Sequence, residues 1–140
     1  MSYWIGVIGS KVSYTRFTSE ENWFCMPSKC EVGDSVLMYA SKSAAGVKSG
    51  IFGQFTIDSR DPCKDDLCKN YGAHSGTGER PSYFLLKPEK LYATPISFQA
   101  LKKNQEVGRA TFVNRNMQAT YFPLSKRQFD AIVGLGNFSL

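Results

Sequence analysis

The sequence is poor in the residue types that carry most enzyme chemistry. Among its 140 residues there is one histidine, His74, and there are four cysteines. It contains no G-x-S-x-G and no phosphate-binding P-loop, and no pair of acidic residues has a recognisable catalytic spacing. A Cys–His nucleophile would have to use Cys63 or Cys68, and no local signature accompanies either. The residues alone therefore argue against an enzyme.

Long hydrophobic runs are also lacking. No stretch reaches the roughly 18 apolar residues that a membrane-spanning helix needs. The apolar start of the chain, residues 1–10, has no basic segment before it and no long apolar core, so it does not fit a signal peptide. With 42% hydrophobic and 21% charged residues, intrinsic disorder is excluded. We expect a single domain over residues 1–140, located in the cytoplasm and not in contact with a membrane.

The cysteines form two pairs with C-x4-C spacing, Cys25 with Cys30 and Cys63 with Cys68. In an intracellular protein we expect four reduced thiols, some of them buried. A structural zinc in the 58–80 region, with His74 following the second pair, is the alternative, although this spacing is a weak zinc pattern. Disulfides are a third alternative. No metal and no cofactor is expected.

Aromatic and basic residues are plentiful by comparison. There are ten Phe, seven Tyr and two Trp, and the net charge is +5. Residues 1–70 have eight basic and eight acidic side chains, whereas residues 71–140 have nine basic and four acidic ones. This balance suits a polyanionic partner, although many other globular domains share it.

Apolar and β-branched runs indicate the fold class. They predict strands at 3–8, 35–40, 51–57, 82–86, 90–93 and 110–113, with a short apolar segment at 22–26. A loop or short helix is expected at 12–21, a short helix at 95–103, and a long irregular loop at 58–80. The clearest helix starts at the N-cap Ser125 and stops at Gly134 and Gly136. Together these elements predict an α+β domain with a curled or barrel-like sheet of five to six strands.

Three stretches then carry a family resemblance, in order along the chain. They are Tyr3-Trp4-Ile5, the segment 22–27 followed by 32–39, and Thr94-Pro95-Ile96-Ser97-Phe98 followed by 112–118 and 124–135. In combination they resemble the EVE family, a branch of the PUA-like superfamily related to YTH and ASCH domains. The resemblance implies a PUA-like curled β-barrel with flanking short helices.

The same resemblance implies nucleic-acid binding. In the related YTH domains a tryptophan at the position of Trp23 forms one wall of an aromatic cage, and residues after the first strand, here Gly9, Ser10 and Lys11, line the same pocket. The second cage tryptophan has no counterpart, so Tyr83 is included as its substitute, with Tyr71 and Phe84 as alternatives. Core positions are the competing interpretation for Trp23 and Tyr83, and Trp4 is expected in the core.

The resemblance implies that Arg115 binds phosphate. The basic residues Arg109 and Lys102 are included with it as phosphate-binding candidates. A solvated surface is the competing interpretation for each. The predicted function is a non-catalytic module that holds a modified base, with methylation the expected modification, in DNA or RNA. Association with a nuclease or another effector is a further expectation.

Two alternatives stay open. An ASCH-like hydrolase of a modified nucleoside would need a pocket set such as Lys11 with Glu20 or Glu21. A small partner-binding protein with zinc in the 58–80 loop is the other.

Overall fold

The computed structural model of the protein describes residues 1–9, 14–19, 22–44, 46–70, 81–114 and 121–137. Six strands form one curled sheet in the order β2-β5-β4-β3-β1-β6. The strands are β1 (Tyr3–Ile8), β2 (Asn22–Pro27), β3 (Ser35–Ala40), β4 (Gly50–Arg60), β5 (Pro81–Ile96) and β6 (Tyr121–Leu124). The helices are α1 (Tyr14–Ser19), α2 (Asp66–Asn70), α3 (Phe98–Lys103), α4 (Thr111–Asn114) and α5 (Lys126–Asn137), and a 3₁₀ turn lies at Pro62–Lys64.

Side chains that alternate along the strands build two apolar layers, one on each face of the sheet. On β1, Trp4 and Ile8 enter the inner layer, where Val36, Met38 and Phe24 also pack. The outer layer lies beneath α3, α4 and α5, and it contains Ile5, Leu37, Tyr92, Leu101, Phe112, Phe122 and Ile132. The expectation that Trp4 is a core residue is confirmed, since only 3% of it is exposed. No helix in the described ranges has the length and apolar character required to cross a bilayer.

One pairing in the sheet is parallel. β1 lies between β3, which runs in the same direction, and β6, which runs antiparallel to it. All other pairs are antiparallel. The parallel pair needs a crossover: the chain passes through α1, β2 and a turn before it enters β3. In that turn, Gly33 has a φ of +96°, a left-handed conformation that favours glycine.

Several predicted element boundaries are corrected. The two strands expected at 82–86 and 90–93 are one strand, β5, which continues through Pro88 because the ladder with β4 changes register beside it. The strand expected at 110–113 is the short helix α4. Pro95 and Ile96 end β5, and α3 begins only after its N-cap Ser97, whose hydroxyl accepts from the Ala100 amide at 3.1 Å.

The C-terminal helix starts as predicted but ends later. Ser125 Oγ accepts from the Gln128 amide at 3.1 Å, and Gln128 Oε1 accepts from the Ser125 amide at 2.9 Å, which is a reciprocal capping box. The helix does not stop at Gly134 or Gly136 but continues to Asn137. The 58–80 region is also more ordered than predicted up to residue 70, since β4 extends to Arg60 and the 3₁₀ turn and α2 follow.

Candidate functional site

The parallel pairing of β1 and β3 brings their carboxyl ends together at one end of the curled sheet. The Ser41 amide donates to the Ile8 carbonyl at 2.9 Å, so the residues that follow the two strands are neighbours. The same end contains α1 and the loop 41–49 between β3 and β4. We call this end the rim, and it consists of Gly9, the described part of α1 and the described residues of loop 41–49.

Hydroxyl groups of the rim face Gly9. Ser41 Oγ and Ser43 Oγ lie 2.9 Å apart and share a hydrogen bond. A methyl group built on Gly9 would lie 3.2 Å from Ser43 Oγ and 3.5 Å from Ser41 Oγ. At the far side of the loop, Tyr39 Oη and Ser49 Oγ are 3.3 Å apart. Each hydroxyl can donate one hydrogen bond and accept others, so this surface can match the polar edge of a ligand.

Aromatic packing fixes α1, as part of the rim, to the inner apolar layer. The Tyr14 ring meets Phe52 edge-on at 5.0 Å, and Phe17 packs edge-on against Phe55 at 5.2 Å and Phe24 at 6.1 Å. Phe17 is buried, whereas Tyr14 is half-buried. Tyr14 therefore presents part of a fixed ring at the rim.

Charge is distributed unequally between the two ends of the sheet. Loop 41–49 has Lys42 and Lys48, both exposed, and no acidic residue. Toward the opposite end, the segments before β3, at the end of β4 and around α2 have a net charge of −2, from six acidic and four basic residues: Glu31, Asp34, Asp58, Asp61, Asp65 and Asp66 against Lys29, Arg60, Lys64 and Lys69. An extended anion would accordingly be steered toward the rim.

Trp23 and Tyr83 come together on the outer face of the β2–β5 pair. Phe24 and Phe84 are opposite each other and point into the inner layer, so the neighbouring residues in each strand point outward. The Trp23 and Tyr83 rings are stacked, with centroids 4.8 Å apart and an interplanar angle of 9°. Two walls that sandwich a base need a separation of roughly 7 Å, two contact distances. These rings are therefore in contact with each other, with no room for a base between them.

Polar and charged side chains of residues 64 and 65 contact β5 and the Trp23 ring beside this stack. Asp65 Oδ1 accepts from Ser82 Oγ at 2.7 Å and from the Tyr83 amide at 3.0 Å. The Lys64 ammonium lies over the Trp23 ring, 5.9 Å from its centroid. Trp23 is left 36% exposed.

The cysteines differ from the expectation of four reduced thiols. Cys25 of β2 and Cys68 of α2 form a disulfide with a Cα–Cα distance of 5.6 Å. The fold brings these two residues together across 43 positions of sequence, so neither C-x4-C pair is the bonded pair. Cys30 is a buried free thiol, and burial, reinforced by the nearby Asp34 carboxylate, raises its pKa to about 12. Cys63 is free and exposed.

The zinc alternative loses Cys68 to this disulfide, and His74 lies outside the described residues. Within the ranges that the structure covers, no group of three or more His, Cys, Asp or Glu side chains could hold a metal ion.

The structure groups the predicted site residues on different elements. Gly9 lies at the rim, whereas Trp23 and Tyr83 stack on the outer face of β2 and β5. Lys102 and Arg109 are both exposed, at the end of α3 and on the segment that joins α3 to α4. A methyl group on Gly108 would lie 2.5 Å from the Lys102 carbonyl oxygen, so the chain folds back and brings this pair near each other. Ser10, Lys11 and Arg115 lie outside the described residues.

The sequence pattern does not identify loop 41–49 as part of the candidate site. From the sequence, Ser41, Lys42, Ser43 and Lys48 belong only to a small polar connection. The signal that could have found them is the parallel pairing of β1 with β3, because it places the residues after both strands at one end of the sheet. The pattern of apolar residues in the sequence does not determine which strands pair or in which direction.

Known structures share this fold across almost their whole length. A hypothetical protein from Leishmania major is 17% identical with a TM-score of 0.70, and the likeness covers 99% of this chain and 96% of that one. Human THYN1, solved in complex with DNA containing 5-methylcytosine, is 15% identical with a TM-score of 0.67 over 97% and 98% of the chains. An ASCH protein of Zymomonas mobilis, solved as a tyrosine-to-phenylalanine mutant, is 15% identical with a TM-score of 0.61 over 96% and 99%. The prediction of a PUA-like curled sheet with short helices is confirmed by this likeness.

A comparison with curated protein sequences finds no match. The family model of the EVE domain, in contrast, matches residues 2–135. The resemblance noted in the sequence is thus confirmed over nearly the whole chain. This chain belongs to the EVE domain family.

Proposed function

We propose that this domain binds nucleic acid at the rim and recognises a modified base there without catalysing a reaction. The observation that carries the proposal is the rim itself, which combines a hydroxyl pair beside Gly9 with exposed Lys42 and Lys48 and has no acidic residue in its loop. The likeness to human THYN1, solved with DNA containing 5-methylcytosine, supports the same class of ligand.

The two kinds of group have separate tasks in this proposal. Lys42 and Lys48 contact backbone phosphates, which gives affinity without sequence information. The hydroxyls of Ser41 and Ser43 contact the polar edge of an extruded base, which gives selectivity. Gly9 keeps the end of β1 close to these hydroxyls without adding a side chain of its own.

The test measures binding to fluorescent oligonucleotides that contain cytosine or 5-methylcytosine, as DNA and as RNA, over a series of salt concentrations. A Lys42→Ala, Lys48→Ala double variant removes two phosphate contacts. Each contact contributes about 0.9 to the slope of log K against log salt for duplex DNA, so the slope should fall by about 2.

The matched control removes the same amount of charge elsewhere. Lys126 and Arg127 begin α5 and are ion-paired with Asp130 at 2.8 Å and Glu106 at 2.9 Å. In a Lys126→Ala, Arg127→Ala variant, the slope of log K against log salt should stay closer to the wild-type value than in the lysine double variant. Equal losses in both variants would show that only net charge matters, and the rim would then not be the site.

An ASCH-like hydrolase is the second candidate, and the likeness to the Zymomonas mobilis ASCH protein favours it. Its candidate residues Lys11, Glu20 and Glu21 lie outside the described residues. Incubation with modified nucleosides, followed by chromatography, tests this activity. Turnover that a Lys11→Ala substitution abolishes would replace the binding proposal by the hydrolase.

A further inference from the structure

The Cys25–Cys68 disulfide fastens a short segment onto the outer face of the sheet. We call residues 61–70 the clamp, and they contain the 3₁₀ turn and α2. Besides the disulfide, Asp65 connects the clamp to β5 through Ser82 and the Tyr83 amide. A helix of five residues, such as α2, is too short to be stable without contacts of this kind.

The clamp also contacts the aromatic pair Trp23 and Tyr83 on the outer face of the sheet. Tyr83 stacks on one face of the Trp23 indole. Because that face is occupied, the Lys64 ammonium of the clamp lies over the other face, 5.9 Å from the ring centroid. With the disulfide formed, Tyr83 occupies one face of the Trp23 ring and the Lys64 ammonium lies over the ring, so a base can reach only the part of the side chain that stays exposed, 36%.

We propose that the Cys25–Cys68 disulfide is a redox-sensitive site whose reduction releases the clamp and opens Trp23 as a stacking surface for a base. This inference rests on the proposed nucleic-acid function. It gives Trp23 the stacking role expected from its family position, but only in the reduced protein.

The reductant is a dithiol, a small molecule or a protein with two neighbouring thiols. One thiolate attacks a sulfur of the disulfide and forms a mixed disulfide, and the second thiol displaces the protein sulfur. Two electrons and two protons pass to Cys25 and Cys68, which become thiols, while the dithiol becomes a disulfide. Since both cysteines are buried, attack requires the clamp to move first.

Lys64 is the residue through which the release acts on Trp23. When the bond is broken, the clamp keeps the Asp65 hydrogen bonds and the bond from the Asp61 amide to the Tyr83 carbonyl at 3.0 Å, but it loses its covalent attachment to β2. The ammonium then leaves the indole, because a partly exposed cation–π contact is worth little compared with hydration of the cation. The freed indole face can stack on an unpaired base, as in other single-strand-binding sites.

The first experiment follows acrylamide quenching of Trp23 fluorescence in the full chain, with and without dithiothreitol. Trp4→Phe removes the other indole, and a Trp23→Phe protein assigns the signals if the Trp4 variant folds poorly. Quenching of Trp23 should increase on reduction. Lys64→Ala should increase it in the oxidised protein, with the disulfide intact. Quenching that is unchanged by reduction overturns the proposal.

The second experiment measures binding of a single-stranded oligonucleotide to the oxidised and reduced forms. One added stacking contact should tighten binding roughly 5- to 150-fold on reduction. Cys63→Ser is the matched control, because it removes an exposed thiol and leaves the disulfide, and it should respond to reduction as the wild type does.

The two experiments separate the two hypotheses. Increased quenching together with oligonucleotide binding that does not change on reduction overturns the link between the clamp and the ligand. Increased quenching with no binding in either form refutes the nucleic-acid function while the redox-sensitive site stands.

Discussion

Two glycines in the same turn of α5 should respond oppositely to alanine. Nothing lies within 4 Å of a methyl group built on Gly134, whereas one built on Gly136 would lie 2.5 Å from Cε1 and 2.6 Å from Cζ of Tyr92. Glycine in a helix costs roughly 0.5–1 kcal/mol relative to alanine. Gly134→Ala should therefore raise the free energy of unfolding by about that amount.

At Gly136 the same gain is outweighed by steric conflict. Tyr92 is 4% exposed, and its hydroxyl accepts from Gln54 Nε2 at 2.7 Å, so the ring has little space to move. Extra methyl groups in a packed core cost about 1–3 kcal/mol. After subtraction of the helix gain, Gly136→Ala should lower the free energy of unfolding by roughly 0.5–2 kcal/mol.

Urea unfolding followed by circular dichroism measures both variants. With unchanged m-values, the difference between the two free energies of unfolding should be roughly 1–3 kcal/mol. Gly134 is the internal control, since it shares the helix and the substitution. If both variants are stabilised equally, the contact between α5 and Tyr92 is not as close as these distances indicate, and steric conflict at Gly136 is ruled out.

Three further predictions concern the buried groups Cys30 and Asp34. Iodoacetamide at pH 8.5 should label Cys63 and spare Cys30, because burial raises the pKa of Cys30 to about 12. Mass spectrometry of the labelled native protein measures this, and equally fast labelling of Cys30 would contradict it. Burial raises the pKa of Cys30 from 9.0, so above pH 9 the native state keeps a proton that the unfolded chain loses. The stability that depends on this proton is complete below pH 9 and is lost as the pH rises toward 12. Cys30→Ala should remove that part of the alkaline loss of stability in unfolding measured against pH. Asp34→Ala should cost about 2–4 kcal/mol in urea unfolding, because the Ser2 and Glu31 amides, each 2.9 Å from its carboxylate, lose their acceptor; a loss below about 0.5 kcal/mol would contradict that role.

Much of the fold could be predicted because its strands are compact apolar runs or alternate between apolar and polar residues. β1, β3 and β4 have the regular pattern of a half-buried or buried strand, and Ser125 is a capping signal that does not depend on tertiary contacts. The strand predicted at 110–113 is wrong because so short an apolar segment fits a short helix as well as a strand. Gly136 fails as a helix stop because packing against Tyr92, which lies far away in sequence, favours a residue without a side chain there.

The candidate site is less predictable for a physical reason. The sequence identifies Trp23, but the stacking of its ring on Tyr83 depends on the register of β2 with β5, which local sequence does not determine. The bond between Cys25 and Cys68 likewise depends on where α2 docks. The rim depends on a parallel strand pair between segments about 30 residues apart.

The position of β1 has a consequence for how the protein folds. During synthesis this strand precedes both of its partners, which are residues 35–40 on one side and 121–124 on the other. Its second edge has no partner until β6 has been synthesised, so the sheet is completed late and across a long stretch of sequence. Until then, Tyr3–Ile8 presents an unpaired apolar strand, and shortening the chain before β6 would leave that edge open to pairing with other molecules.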